Sequence, residues 1–355
     1  MSSRADRIRI GIVGLGFGQQ VHAPAFAGID GCEVVAIAGR DPQRAAAAAH
    51  KLEIARSFGC WETMLNDAQL DAVSIAVPPH AQPAIVAAAA KRKIAVFCEK
   101  PAASDVASAA AMLAAVREHR VEHAVNFLFP EIPAWRDAKR RIDELAARSG
   151  LRHAALAWRV ETYASRHNSN SWKRRAGEGG GALSNFVSHS IFYLEWLFGR
   201  IKQVQARLFP RESMDDSRVD AWIEFESGLP LTMSVATDCP FGSGHRLEVY
   251  GGDGAVVLAN AGSDYVQGFD LQAPTRSAGD DLPSRVEDSN GSIDGRVWAT
   301  ARLVRRFIDR LRADGPTTPN LVDGLRVQQV IEGFRRSHQL NEPIRMVNQP
   351  VNAAA

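Results

Sequence analysis

The 355-residue sequence predicts an α/β protein: a doubly wound parallel sheet over the first third, then a second α/β domain on an antiparallel or mixed sheet. Three observations predict it. Short apolar runs alternate with Ala-rich helical patterns near the N-terminus, a Gly-x-Gly turn follows the first run, and beyond Asn126 strands succeed strands.

Taken in order, Ile8 to Val13 is the first apolar run, and the stretch from Gly14 to His22 opens a helix behind it. Residues 32–38 form the next strand, followed by a helix over 42–52 and a short segment through Phe58. A fully apolar strand over 72–77, a helix over 82–91 and a strand over 95–98 continue the alternation. A helix over 104–119, with Ser104 as its N-cap, and a strand over 122–128 complete the first sheet. These patterns divide the chain into domains 1–125 and 126–345 with a tail over 346–355. The second domain opens with a helix over 134–148 and a strand over 151–160, then a glycine-led helix over 182–198. Strands follow around 202–208, 219–226, 230–236, 246–250 and 255–259. The Gly-, Asp- and Ser-rich stretch 261–295 reads as loops, and helices over 296–313 and 322–339 close the chain.

Composition narrows the function classes. A formal net charge of +2 gives neither a nucleic-acid footprint nor an acidic tail. The four cysteines, at 32, 60, 98 and 239, lack metal or redox spacing and read as reduced thiols. No apolar run reaches the roughly 20 residues of a membrane span, and no signal-type segment is recognised, so the expected setting is the cytoplasm without a membrane partner.

The glycine turn carries the first chemistry. Gly14 and Gly16 allow a tight strand-to-helix turn at which backbone N–H groups and a helix N-terminus can hold a dinucleotide's pyrophosphate. The third fingerprint position, usually Gly or Ala, is Gln19. Some 20 to 25 residues past the glycines, where a carboxylate would read the ribose, stand Gly39 and Arg40, with Arg44 one turn on. Two cations there favour a 2′-phosphate, hence NADP over NAD. The alternative is that Arg40 only opens a solvated turn and Asp41 reads the ribose.

Two further groups of residues stand out. Glu99-Lys100-Pro101 ends the 95–98 strand, at the carboxyl edge where open parallel sheets bind ligands, and Lys100 is a candidate acid–base. Otherwise it is an ordinary surface lysine. In the run Gly179 to His189, Asn185 and His189 lie four apart on one helical face and can address one ligand together. An isolated histidine on an apolar helix is more often a core residue. Trp172, Lys173 and Arg174 read as a substrate wall with an anion-binding head, or as a solvated basic turn.

Together with His22-Ala23-Pro24, Ala76-Val77-Pro78-Pro79 and Asp323 to Val327, these motifs, in this order, resemble the glucose–fructose oxidoreductase, inositol dehydrogenase and rhizopine-catabolism family, Gfo/Idh/MocA, over nearly the whole chain. The resemblance implies an N-terminal Rossmann domain and a C-terminal α/β domain whose open, largely antiparallel sheet often forms an oligomer interface, here of a homodimer or homotetramer. It implies an NADP- or NAD-dependent oxidoreductase for a sugar- or cyclitol-like alcohol–carbonyl pair, with no metal. Lys100 would be the catalytic lysine and His189 the second-motif histidine. Gly14, Gly16, Phe17, Gly18, Gly39, Arg40, Arg44, Pro78, Glu99 and Lys100 would contact the cofactor. Asn185, Tyr163, Trp172 and Lys173 would contact the substrate. This sequence departs from the family where Asn185 and Phe192 replace two aspartates and Gln82 replaces a common histidine. Further enzyme readings within the fold are a nucleotide-sugar ketoreductase and a glycosidase that uses bound NAD transiently, and the missing carboxylates motivate an alternative of another class, a cofactor-holding regulatory or scaffold relative without turnover.

Overall fold

The computed structural model describes residues 7–167, 171–211, 214–262, 264–276, 284–285, 294–313 and 317–347. The chain forms two compact units, one of residues 1–128 with 291–326, the other of residues 129–290 with 327–355.

In the first unit, β1 (Ile8–Val13), β2 (Cys32–Ala38), β3 (Arg56–Phe58), β4 (Ala72–Ile75), β5 (Ala95–Cys98) and β6 (His123–Val125) form a six-stranded sheet in the order β3-β2-β1-β4-β5-β6. All five pairings are parallel, and the order reverses between β1 and β4. The apolar runs become strands because both faces are covered: β4 and β5 are buried at every residue. The connecting helices are α1 (Ala23–Ala27), α2 (Pro42–Lys51), α3 (Trp61–Asp67), α4 (Gln82–Lys91) and α5 (Val106–Glu118). Asp41 caps α2, accepting the N–H groups of Gln43 and Arg44 at 2.9 and 3.1 Å. The cap of α5 is Asp105, not Ser104: its carboxylate takes the Ser108 N–H at 2.8 Å, while Ser104 donates its hydroxyl to Asp105. Helix α3 lies in a stretch for which the sequence reading named no helix; with seven residues it shows too little periodicity to stand out.

A single boundary near Asn126 does not describe the chain. The helix over Gly295–Arg312 (α9) belongs to the first unit, where its buried stripe of Ala299, Leu303, Val304, Phe307 and Ile308 finds cover. Phe307 packs 5.7 Å, centroid to centroid, from Phe97 of β5, and Arg312 donates to the Gly31 carbonyl. An amphipathic period shows that a helix must bury one face, but not against which distant partner.

The second unit is built on a nine-stranded sheet of β7 (Leu151–Arg159), β8 (Ile201–Arg211), β9 (Met214–Phe225), β10 (Pro230–Ala236), β11 (Gly244–Gly251), β12 (Ala255–Asn260), β13 (Asp270–Gln272), β14 (Ser284–Arg285) and β15 (Ile344–Arg345). The order is β14-β13-β12-β11-β7-β10-β9-β8-β15. Every pairing is antiparallel except β7 with β10, so the sheet is mixed and mostly antiparallel, as expected. The stretch expected as loops, 261–295, contributes β13 and β14, whose two or three residues carry no readable alternation. Elsewhere alternation sorts the faces. Leu156, Trp158, Ile223, Phe225, Met233 and Val235 point into the core, while Trp222 and Thr232 face outward. Helices α6 (Pro133–Ser149), α7 (Tyr163–Arg166), α8 (Ser188–Phe198) and α10 (Leu321–Leu340) complete the chain. Trp135 of α6 and Tyr193 of α8 meet at 4.4 Å between ring centroids. Among the described residues, no helix is long and apolar enough to cross a membrane.

Two internal histidines set a pH dependence of stability. Burial pushes His245 down to about 3, and burial with the Arg117 charge pushes His123 down to about 4. An unfolded histidine titrates near ~6.5, so the unfolded chain binds more protons between these values and stability rises with pH. The contribution is complete above the unfolded pKa and is lost on acidification toward about 4 for His123 and about 3 for His245. Each contributes a slope of up to about 1.4 kcal/mol per pH unit. We expect urea midpoints to fall between neutral pH and mildly acid pH, and His245→Phe to flatten that slope by about one proton. An unchanged slope in this variant refutes the assignment.

Candidate active site

The first unit carries the glycine turn and Lys100. Strand β1 ends in the Gly14 turn, where φ is +118° and a Cβ would lie 2.9 Å from the carbonyl carbon of Ala76 and closer still to its oxygen. Only glycine fits there. Gly16 is the opposite case: it is exposed, and a Cβ on it would meet nothing within 4 Å. Among the described residues, the N–H groups of Leu15 and Gly16 have no backbone acceptor. The turn therefore offers free donors and open space above them, as a pyrophosphate requires.

The helix behind the turn begins as a π-helical turn, Gly18–His22, and continues as α1. This rearranges the fingerprint. Gly18 is the residue that packs closely, its Cβ position 3.1 Å from Ile12 and 3.2 Å from Ala76, while Gln19 is partly exposed. The close approach of helix and strand is thus supplied by Gly18, and Gln19 in the third position costs nothing. The Phe17 ring lies edge-on to His22 at 5.4 Å and beneath the Arg296 guanidinium. Beyond β2, Gly39 donates its N–H to the Phe58 carbonyl and leaves no room for a Cβ beside Leu15. Arg40 and Arg44 are exposed and, among the described residues, pair with no carboxylate. Asp41 is occupied by the cap of α2.

Lys100 follows β5 at the carboxyl edge and is half-buried. Its turn is fixed from several sides. The fully buried Gln82 donates through Nε2 to the carbonyls of Glu99 and Pro101 at 3.1 and 2.9 Å, which explains a glutamine at this position. The Lys100–Pro101 bond is cis. Pro78 caps a single 3₁₀ turn after β4. The Glu99 carboxylate has protein partners on both of its oxygens. It turns inward, with side-chain exposure of 13%, to accept from His22, Asn126 and the Lys100 N–H. Burial raises its pKa, but the His22 bond, the charges of His22 and Lys100 and the Asn126 bond outweigh it, and the net shift is downward. The sequence marked His22 only as part of the family pattern and did not single out Ser74, Asn126 or Thr300 for this network. Buried polar side chains on otherwise apolar strands were the available signal.

The second unit carries Asn185 and His189. Gly179 and Gly181, at φ +83° and +97°, lead into a π-helical turn, Leu183–Val187, followed by α8. A Cβ on Gly181 would collide with the Asp216 carboxylate, which also accepts the Leu183 N–H at 3.3 Å. Asp216 is thus a buried carboxylate at the helix entrance that the sequence gave no reason to choose. Asn185 does not present its amide outward alone: Nδ2 donates to the carbonyls of Gly181 and Lys173 at 2.9 and 3.3 Å. It ties the Trp172–Arg174 turn to the helix, a bond an acceptor-only aspartate could not make. His189 is 4% exposed, its ring 5.1 Å from Phe129 and 6.4 Å from Tyr265. Lys173 is exposed and Trp172 half-buried, whereas Tyr163 stands 74% exposed and stacked on His167.

A doubly wound sheet with a phosphate-binding turn at β1 and a lysine at the edge of β5 defines a dinucleotide-dependent oxidoreductase. Comparison with known proteins gives the family. Residues 8–127 match "Oxidoreductase family, NAD-binding Rossmann fold" and residues 155–346 match "Oxidoreductase family, C-terminal alpha/beta domain". The chain belongs to the Gfo/Idh/MocA oxidoreductase family. It is 35% identical to D-apiose dehydrogenase of Paraburkholderia graminis, over 100% of this chain and 94% of that one. It is 27% identical to inositol 2-dehydrogenase of Acidothermus cellulolyticus, over 71% of this chain and 73% of that one. Among solved structures, levoglucosan dehydrogenase in complex with NADH superposes with a TM-score of 0.86 at 22% identity, covering 97% of this chain and 100% of that one.

Proposed function

We propose that the protein transfers a hydride between NADP(H), in preference to NAD(H), and a sugar- or cyclitol-like alcohol–carbonyl pair. The observation that carries the reading is Lys100, fixed in direction by Gln82 and Glu99 at the carboxyl edge of β5, next to the point where strand order reverses. The named relatives act on polyhydroxylated substrates, which supports the substrate class. Gly14 to Gly18 and Pro78 border the cofactor's place, and Arg40 and Arg44 stand where a 2′-phosphate is read. When bound, the nicotinamide supplies or takes up the hydride. The protein's own task is to orient the substrate carbon and move one proton. Lys100 Nζ gives that proton to the substrate oxygen in reduction and holds it after oxidation. His189 hydrogen-bonds the same oxygen as a secondary acid–base. Lys173 and Trp172, anchored through Asn185, orient the hydroxylated ring. Tyr163, 74% exposed and stacked on His167, is the weakest member of this set. Nicotinamide absorbance with a panel of sugars and polyols tests the reading; no turnover with any member overturns it.

Cofactor choice rests on Arg40 and Arg44. A charge-assisted pair contributes about 1.5 to 3 kcal/mol, so NADPH is expected to bind about 10 to 150 times more tightly than NADH. Arg40→Ala should remove most of this preference. Dissociation constants from nicotinamide fluorescence check it, and equal affinities in the parent protein contradict it.

The outer face of the nine-stranded sheet forms a shallow concavity of about 590 Å³, floored by Ala155, Ala157, Thr232 and Ser234 and flanked by Trp222, which is 36% exposed. We assign this face to a second copy of the chain in a homodimer or homotetramer, because small side chains and one large ring suit sheet-on-sheet packing. Light scattering that returns a monomer mass at micromolar concentration would exclude it. The four free cysteines, two of them buried, suit a reducing cytoplasm.

A further inference from the structure

Glu99 is the centre of a polar network that the reaction does not itself use. His22 is fully buried and engaged at both ring nitrogens: Nδ1 lies 2.6 Å from Ser74 Oγ and Nε2 2.8 Å from Glu99 Oε1. The rings of Phe17 and Phe97 hold the imidazole edge-on at 5.4 and 5.3 Å. Asn126 donates to the same carboxylate oxygen at 2.7 Å and reaches Thr300 Oγ1 at 3.3 Å. The other oxygen, Oε2, accepts the backbone N–H of Lys100 at 3.2 Å. The π-helical turn, β4, the end of β5, the segment after β6, and α9 each contribute one or more members.

A buried network of this kind is costly unless every member is satisfied. Its serine, histidine and glutamate follow the order of a hydrolytic relay, yet Ser74 is fully buried within β4, where no acyl group can reach its hydroxyl. What the network does touch is the backbone of Lys100. We infer that His22 and Asn126 are positioning residues that act through Glu99, holding a single carboxylate against Lys100 and so fixing both the direction of this lysine and the charge beside it. The inference rests on the reading of Lys100 as the proton-transferring group. Among the described residues, the groups that meet Glu99 from the packed elements are the His22 imidazole and the Asn126 amide, with the neutral Ser74 and Thr300 hydroxyls behind them. Along its own strand end stand Lys100 and Cys98, whose thiol burial keeps protonated. Among the described residues no second carboxylate meets this group, and its effect on Lys100 is to favour the ammonium form.

The test needs no substrate. Competitive labelling with acetic anhydride across alkaline pH, read by peptide mass spectrometry, measures the fraction of Lys100 that is deprotonated. Glu99→Gln keeps the shape and removes the charge, and it should make Lys100 about tenfold more reactive at a fixed pH below its midpoint, equivalent to a midpoint about one unit lower. His22→Phe should shift reactivity in the same direction by releasing the carboxylate, and His22→Gln, which restores a donor, should reverse part of that shift. If His22→Phe does not fold, as thermal unfolding will show, Glu99→Gln and His22→Gln carry the test. A Lys100 labelling profile unchanged in Glu99→Gln overturns the inference. Failure of the underlying reading is separate: Lys100→Met that keeps its turnover removes Lys100 from the chemistry whatever the labelling shows.

Discussion

Replacing Lys100 with methionine is expected to lower turnover by about 10² to 10⁴-fold, the range a positioned general acid–base supplies, while the cofactor dissociation constant changes far less. Methionine keeps the length and much of the apolar stem but cannot carry a proton. The turn itself should survive, because its constraints come from the backbone: Gln82 holds the carbonyls of Glu99 and Pro101, and Glu99 holds the Lys100 N–H. His189→Ala should cost less. Its ring is packed against Phe129 and, with Asn185 at the preceding turn, no carboxylate is contributed from that position to stabilise an imidazolium. Steady-state rates with any active substrate decide the order, and a Lys100→Met enzyme with near-parental turnover would move the proton to another residue.

The two glycines of the phosphate turn should respond to alanine in opposite ways. Gly14→Ala is expected to destabilise the first unit by about 3 kcal/mol or more, since it combines a strained positive φ with a collision against backbone. The obstacle is the Ala76 carbonyl, which cannot swing away because Ala76 N–H is itself bonded to Val13 at 2.8 Å. Gly16→Ala should leave the thermal midpoint almost unchanged, its Cβ entering open space. That space is where a phosphate must approach, so dinucleotide affinity should still fall, by about tenfold or more. Thermal unfolding alone separates the first variant and fluorescence titration the second. A Gly14→Ala protein as stable as the parent would contradict the close approach of β1 and β4 at this turn.

Local signals made much of this chain legible. Strands over 32–38 and 95–98, the helix over 82–91 and the strand over 230–236 fall where apolar period and turn residues place them. Their sequences carry much of the reason for their form: continuous apolar runs for the parallel strands β2 and β5, and alternation over most of β10. The turn at Gly14 and the edge position of Lys100 were legible for the same reason, being consequences of a strand ending and a glycine following.

Long-range geometry was not legible. That α9 returns to the first unit depends on Phe97 and Phe307 meeting, residues 210 positions apart by their numbers, and no local period records such a pair. The inward turn of Glu99 depends on His22, Asn126 and Ser74 arriving from three other elements. The role of Asn185 required the Lys173 carbonyl, and the role of Gly18 required a π-helical turn that shifts the packing residue by one from the fingerprint. A sequence by itself determines which segments need burial and which residues can carry a proton or hold a phosphate. Which of those residues face one another is decided only when distant elements pack, because a buried hydrogen bond is favourable only where its partner has been brought within reach.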